Sequence, residues 1–228
     1  LKEQYGRDIF WQGFLYRIID PSEIKDVSKM TQEEKENWLS WSQTFVPYDK
    51  WDKDGNRRYL RTPYYIDWSI ENVTFLKQDP KARYQWYTFY FRAGFCWILT
   101  LNEQSEYQKA RFREAGVFDV NAMTLFSLNK IISEKYLVCL INSYLVFQYK
   151  RNFINWSSAF QINDARQLPI IIPTKEELES FENIFDRAYD IKVKQFDWNI
   201  SQEEANQKLD QIQKELDEKV YKLYEIER

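Results

Sequence analysis

The sequence predicts a mixed α/β fold, in which a β-rich body is followed by an antiparallel two-helix hairpin at the C-terminal end. Three observations point to it. Aromatic and β-branched runs separated by turn residues fill the chain as far as Leu128. From Tyr136 the apolar spacing lengthens to three and four, the period of a helix. In residues 174–228, two Ser/Thr-x-x-Glu boxes each precede an apolar stripe.

In order, Ile9, Phe10, Phe14, Tyr16 and Ile18 alternate as in extended chain, and Thr31 with Glu34 forms a capping box for a charged helix running to Trp41. Asp54-Gly55-Asn56 is a strong turn signal between two strand candidates, the second spanning Tyr59 to Trp68. The block Gln85 to Leu101, QWYTFYFRAGFCWILTL, reads as strand, turn at Ala93-Gly94, strand. Arg111 to Leu128 supplies a loop and another strand, turning at Gly116. Leu137, Leu140, Ile141, Tyr144, Leu145 and Gln148 then mark a helix. Thr174 with Glu177, just after Pro173, caps a helix with Leu178, Phe181, Phe185 and Ala188 on one face. Ser201 with Glu204 caps a second, about 25 residues long, or ~37 Å at ~1.5 Å per residue. Its stripe is Leu209, Ile212, Leu216, Val220 and Leu223, and the short Asp197–Ile200 link suits an antiparallel pair. The expected division is residues 1–173 and 174–228.

Composition excludes several functions. With 16 Phe, 16 Tyr and 9 Trp, the chain is too aromatic to be disordered. It has no histidine, which rules out His-based acid–base catalysis, Ser–His or Cys–His nucleophiles and His metal ligation. Cys96 and Cys139 sit in apolar runs and read as buried thiols. No run reaches the ~20 apolar residues of a membrane span, and a secretory signal pattern is lacking, so a cytoplasmic setting is expected. The chain does not begin with Met and is expected to be a piece of a longer protein.

Net charge is -3, but its distribution is uneven. Residues 50–113 carry 12 basic and 7 acidic side chains, a net +5, whereas residues 174–228 carry 9 and 15, a net -6. A nucleic-acid face would therefore be built from the middle of the chain. Asn56, Arg57, Arg58 and Arg61 flank the predicted hairpin turn, and such a tip suits a DNA groove, because Arg pairs bidentately with guanine and Asn with adenine. Lys109, Arg111 and Arg113 alternate, so extended chain places them on one face, suited to phosphates. Lys50, Lys53 and Arg151 complete the candidate phosphate contacts. Lys150 and Arg151 also end an apolar helix, where the dipole favours cations. Stacking of the aromatics on single-stranded bases is a weaker alternative.

Catalytic motifs are missing. An amino-methyltransferase holds its target with Asn, Asp or Ser, then Pro-Pro, then an aromatic; Thr62-Pro63-Tyr64-Tyr65 has neither the leading residue nor the second proline. A Gly-rich S-adenosylmethionine loop is also missing. Asp20, Glu23 and Lys25 have the letters of a metal-dependent nuclease triplet, but the acids stand too close together and read as a solvated turn.

Several blocks resemble the C-terminal specificity region of type IIG restriction-modification enzymes, adenine-specific DNA methyltransferases with a TaqI-like specificity domain. They are Phe45–Lys50 with Gly55 and Pro63–Trp68; Phe89–Trp97; Gly116–Val120 with Leu125–Ser127; and, most specific, Ser158–Asp164 with Leu168–Pro173. The tail Ile212–Tyr224 resembles the family's closing helix. The resemblance implies a non-catalytic module, residues 1–173 being a DNA target recognition domain for double-stranded DNA. S-adenosylmethionine and Mg would belong to methyltransferase and nuclease domains elsewhere in the same polypeptide. The helical hairpin would face away from DNA and brace a neighbouring domain or form a homodimer, and Gln161, Asn163 and Asp164 would cap the strand–helix junction. The alternative is a protein-interaction module acting through the helical pair.

Overall fold

The described residues gather into two hydrophobic cores. The computed structural model describes residues 7–11, 14–40, 42–50, 56–61, 64–80, 84, 87–102, 104–119, 122–128 and 131–227. Trp41, Lys53, the Asp54-Gly55 turn and Gln85 lie outside the described residues. The architecture is mixed α/β, as the sequence predicts, with the last two helices in contact at its end.

β1 (Arg7–Trp11) and β2 (Phe14–Arg17) form an antiparallel hairpin where the apolar residues alternate. Asp20 then caps a 3₁₀ turn, Pro21–Glu23, and Glu23 Oε2 accepts from the Asp20 N–H at 2.9 Å. Lys25 pairs instead with Glu34 at 2.9 Å. The nuclease-like triplet is thus spent on a turn and a surface ion pair. α1 (Gln32–Glu36) carries the predicted reciprocal cap between Thr31 and Glu34.

The smaller core gathers Met30, Leu39, Val46, Trp68, Val73, Phe91 and Val117. It is built on β3 (Phe45–Asp49), which pairs antiparallel with β4 (Tyr65–Asp67) and parallel with the two-residue β7 (Val117–Phe118). The strand expected from Tyr59 to Trp68 is shorter than its aromatic content suggests. Ser69 caps α2 (Ile70–Gln78) directly after it.

The larger core joins a second sheet, in the order β6-β5-β8, to the helices. β5 (Gly94–Ile98) pairs antiparallel with β6 (Ala110–Arg113) and β8 (Ala122–Leu125). The first strand expected in the aromatic block is replaced by a 3₁₀ turn, Tyr87–Phe89, and by Phe91 at φ 60. Aromatic content did not decide this segment, because its rings pack as a cluster around Trp68 rather than as a ladder. α3 (Glu134–Ile141) and α4 (Tyr144–Tyr149) divide the predicted helix at Asn142-Ser143, and a π-turn, Lys150–Ile154, follows.

The Ser158–Pro173 segment is a strap between sheet and helices. Ala159 bridges to Thr100, Trp97 Nε1 donates to Phe160 O at 2.7 Å, and Tyr136 Oη donates to Ile171 O at 2.7 Å. Within it, α5 (Ile162–Ala165) starts where the Asp164 carboxylate accepts from the Gln161 N–H and from Asn155 Nδ2. These side chains act structurally, and Asn163 accepts from Arg166.

α6 (Lys175–Phe196) has the full Thr174–Glu177 capping box. α7 (Gln202–Leu223) is 22 residues long; Ser201 accepts from the Glu204 N–H, but the Glu204 carboxylate takes Lys208 at 2.6 Å. The apolar faces of both helices are buried against β5, β6, α3 and α4 in one cluster. Residue 173 therefore does not separate two cores.

Gly94 opens β5 where a Cβ would stand 2.8 Å from Leu125 O and 2.7 Å from a Phe126 ring carbon. Gly94→Ala is expected to destabilise the fold by about 1–3 kcal/mol, read as a lower midpoint in equilibrium urea unfolding with an unchanged slope.

Candidate nucleic-acid interface

The basic middle of the chain meets the structure at β6, which is covered on both faces. Phe112 faces the helices and packs edge-on against Phe185, with ring centroids 6.1 Å apart. Arg111 and Arg113 alternate with it as the sequence requires, but their shared face looks inward. Arg111 Nη2 meets the Asp49 carboxylate of β3 at 2.6 Å, both groups buried. The Arg113 guanidinium lies 4.0 Å from the Phe118 ring centroid and is 2% exposed. Its Nε and Nη1 have no hydrogen-bond partner among the described residues, while Nη2 donates to Arg92 O at 3.4 Å.

The expected hairpin tip is also drawn in. Arg58, at φ 72, bridges in parallel to Arg111: its N–H donates to Ala110 O and its carbonyl accepts from Phe112 N–H. Its guanidinium is buried and donates to Gln213 Oε1 on α7 at 2.5 Å. Arg57 Nη1 donates to the same oxygen at 3.0 Å, and its guanidinium stands over Tyr107. Asn56 Oδ1 accepts from Lys192 Nζ at 3.1 Å.

Groove contact by Arg58 and phosphate contact by Arg111 and Arg113 are therefore corrected, since all three side chains are interior groups here. The physical reason is that β6 and the 56–58 segment lie between the two cores, so period-two alternation sends both sets of side chains inside. Lys53 lies outside the described residues. Closer to solvent are Lys50, half-buried with Nζ 5.4 Å from the Tyr64 ring centroid; Arg61, exposed and paired with Asp197 at 2.6 Å; half-buried Lys109; and Arg151, exposed on the π-turn. Between β3, residues 59–61 and the Glu114–Gly116 turn opens a cleft of about 360 Å³, with Arg61, Arg111 and Arg113 in its wall alongside Asp49 and Glu114.

The arginines are held by a network that the sequence reading missed. Gln213 Nε2 donates to Asn142 O and to Asp217 Oδ1, both at 3.1 Å. Asp217 also accepts from the Tyr144 N–H and the Tyr107 hydroxyl. Asn142 clasps Ala110 of β6 through both its N–H and its carbonyl. The available signal was Gln213 and Asp217, polar residues spaced i, i+4 beside the apolar stripe of α7. Burial, reinforced by the neighbouring Arg57 charge, lowers the Arg58 pKa to about 10, and burial lowers those of Arg57 and Arg113 as well.

Among the described residues no group of three or more His, Cys, Asp or Glu is placed to hold a metal, and no helix is long and apolar enough to cross a membrane. Cys96 and Cys139 are buried thiols that are not joined in a disulfide. No family model matches the chain, and no curated protein matches it in sequence.

Two outcomes follow from this chemistry. Gln213→Leu leaves two guanidinium groups without their acceptor and should lower unfolding free energy by about 2–3 kcal/mol. A double-mutant cycle with Arg58→Met should show a coupling of about 0.5–3 kcal/mol. The second concerns pH. Burial raises Tyr84, Tyr90, Tyr107 and Tyr224 from 10.0 to about 12. Their contribution to stability is complete below pH 10 and is lost as pH rises through about 12. Arg58 works the other way, because its charged form is disfavoured in the fold and deprotonation above about 10 relieves that cost. Burial raises Tyr136 and Tyr189 in the same direction, and the tyrosines together outweigh Arg57, Arg58 and Arg113, so net stability should fall between these values, as followed by urea unfolding and tyrosinate absorbance at stepped pH.

Proposed function

We propose that the chain is the sequence-specific, double-stranded DNA recognition module of a restriction-modification adenine methyltransferase/endonuclease, non-catalytic on its own. The observation that carries this reading is the Ser158–Asp164 and Leu168–Pro173 block, the most specific of its likenesses to type IIG specificity regions. Its strap-like course from the β5 sheet to the helical pair supports the reading, since a recognition scaffold needs that joint rigid. The net +5 of residues 50–113 supports it as well.

In this reading Lys50, Arg61, Lys109 and Arg151 are the phosphate contacts, with Arg57 and Asn56 at the groove edge. Arg58, Arg111 and Arg113 brace the scaffold beneath them. S-adenosylmethionine and Mg belong to methyltransferase and nuclease domains of the same polypeptide, working in the bacterial cytoplasm. Because the apolar faces of α6 and α7 are used internally, those domains, or a second copy of the chain, dock on the polar outer faces of the pair.

Fluorescence anisotropy of a labelled duplex across 50–200 mM salt tests the proposal. Log affinity should fall linearly with log salt, each phosphate contact contributing about 0.9 to the slope. Lys50→Gln, Arg61→Gln and Arg151→Gln should each make the slope shallower by about that amount while leaving the unfolding midpoint near its original value. A flat salt response would remove duplex binding as the function.

A further inference from the structure

A second candidate site lies beside the small core, with Tyr84, Tyr90 and Phe91 in its wall. A cavity of about 720 Å³ opens between α1, the end of α2, Tyr84 and residues 87–92, within the ~300–1,000 Å³ range usual for small-ligand pockets. Its wall holds Lys35, Lys77 and Arg92 against the single carboxylate of Glu36, a local excess of positive charge.

The aromatic part of the wall is ordered as a column. Trp68, fully buried in the small core, stacks on Tyr84 with centroids 6.3 Å apart and planes 26° apart. Tyr84 stacks in turn on Tyr87, at 5.6 Å and 10°. Tyr87 is 54% exposed, so the column runs from the core to solvent and ends at the pocket on an uncovered ring. Tyr90 closes the side edge-on to Tyr84, with centroids 5.9 Å apart. The buried Tyr84 hydroxyl has no hydrogen-bond partner among the described residues, although buried polar groups are satisfied in the great majority of cases.

We infer that this pocket binds a nucleotide unit, its base stacked on Tyr87 as the next ring of the Trp68–Tyr84–Tyr87 column and its phosphate held by Lys35, Lys77 and Arg92. The chemistry matches on both counts. A planar heteroaromatic ring continues an offset stack, and an anion meets a wall in which Lys35, Lys77 and Arg92 outnumber Glu36. A flat apolar ligand would leave those cations unused, and a simple oxyanion would leave the ring uncovered. The nucleotide is either free or part of a single strand. The inference does not rest on the duplex-recognition reading, because it uses neither the β6 face nor the strap.

Isothermal titration calorimetry on the full chain with deoxyadenosine monophosphate, deoxyadenosine and a single-stranded oligodeoxynucleotide tests it. Saturable binding of the monophosphate or the oligonucleotide is expected, with the nucleoside weaker. Tyr87→Leu should weaken it about 5- to 150-fold, the worth of one stacked base, and Tyr87→Phe should restore it. Lys35→Gln and Lys77→Gln should narrow the gap between nucleotide and nucleoside. Binding of the monophosphate identifies a free nucleotide as the ligand, and binding of the oligonucleotide alone identifies a strand. No saturable binding of either, or binding indifferent to Tyr87→Leu, overturns the inference. Loss of duplex affinity in Lys50→Gln, Arg61→Gln and Arg151→Gln with nucleotide binding intact would support two separate sites.

Discussion

The amide of Gln213 is the point on which the larger half of the molecule turns. Its oxygen receives two guanidinium groups, Arg57 and Arg58, and its nitrogen donates to the α3–α4 junction at Asn142 and to Asp217 one turn along α7. Asn142 passes the connection to the backbone of β6, and Asp217 passes it to the first turn of α4. An apolar stripe such as Leu209, Ile212, Leu216 and Val220 holds a helix against a sheet but defines its axial position poorly. A slide of one turn, ~5.4 Å, brings similar side chains into similar places. The buried amide and carboxylate remove that freedom, because any slide would strand buried charges and unpaired donors. The Arg58 guanidinium loses hydration on burial, and the network offsets that loss only while every member stays in position.

This arrangement changes what the basic character of the chain means. The excess of Lys and Arg in residues 50–113 is divided between two tasks. Arg58, Arg111 and Arg113 sit inside, matched by a neutral amide, by Asp49 and by the faces of aromatic rings. Arg61 and Arg151 are exposed, Arg61 in an ion pair with Asp197, and Lys50 is half-buried. Local net charge read from a sequence is therefore an upper limit on the charge a surface presents.

β3 couples the two cores. It supplies Val46 to the small core and Asp49 to the ion pair with Arg111, and it hydrogen-bonds to β7, which follows β6 directly. Gly116 lies in the intervening turn, where a Cβ would stand 2.7 Å from Pro47 O. A buried ion pair of this kind adds little net stability over an apolar contact of the same shape. Its effect is on geometry, since the carboxylate and guanidinium fix how the two sheets meet.

The sequence by itself determined the features that depend on neighbours along the chain. The caps at Thr31, Thr174 and Ser201, the β1–β2 alternation, the turn at Gly116 and the stripes of α6 and α7 are local events, set by the backbone N–H groups of a helix start or the period of a side-chain face. The roles of Gln161 and Asp164 were legible for the same reason. Tertiary structure decided the rest. Alternation put Arg111 and Arg113 on one face of β6, but only the arrival of β3 and β7 made that face interior. The aromatic run before Gly94 has strand propensity, yet its rings gain more by clustering on Trp68, and the chain turns there instead. The partnership of Gln213 with Arg58 spans a separation of 155 residues, and no local pattern encodes which distant group a buried polar side chain will meet. Periodicity fixes which way a side chain points relative to its own element, whereas burial depends on what packs against that element.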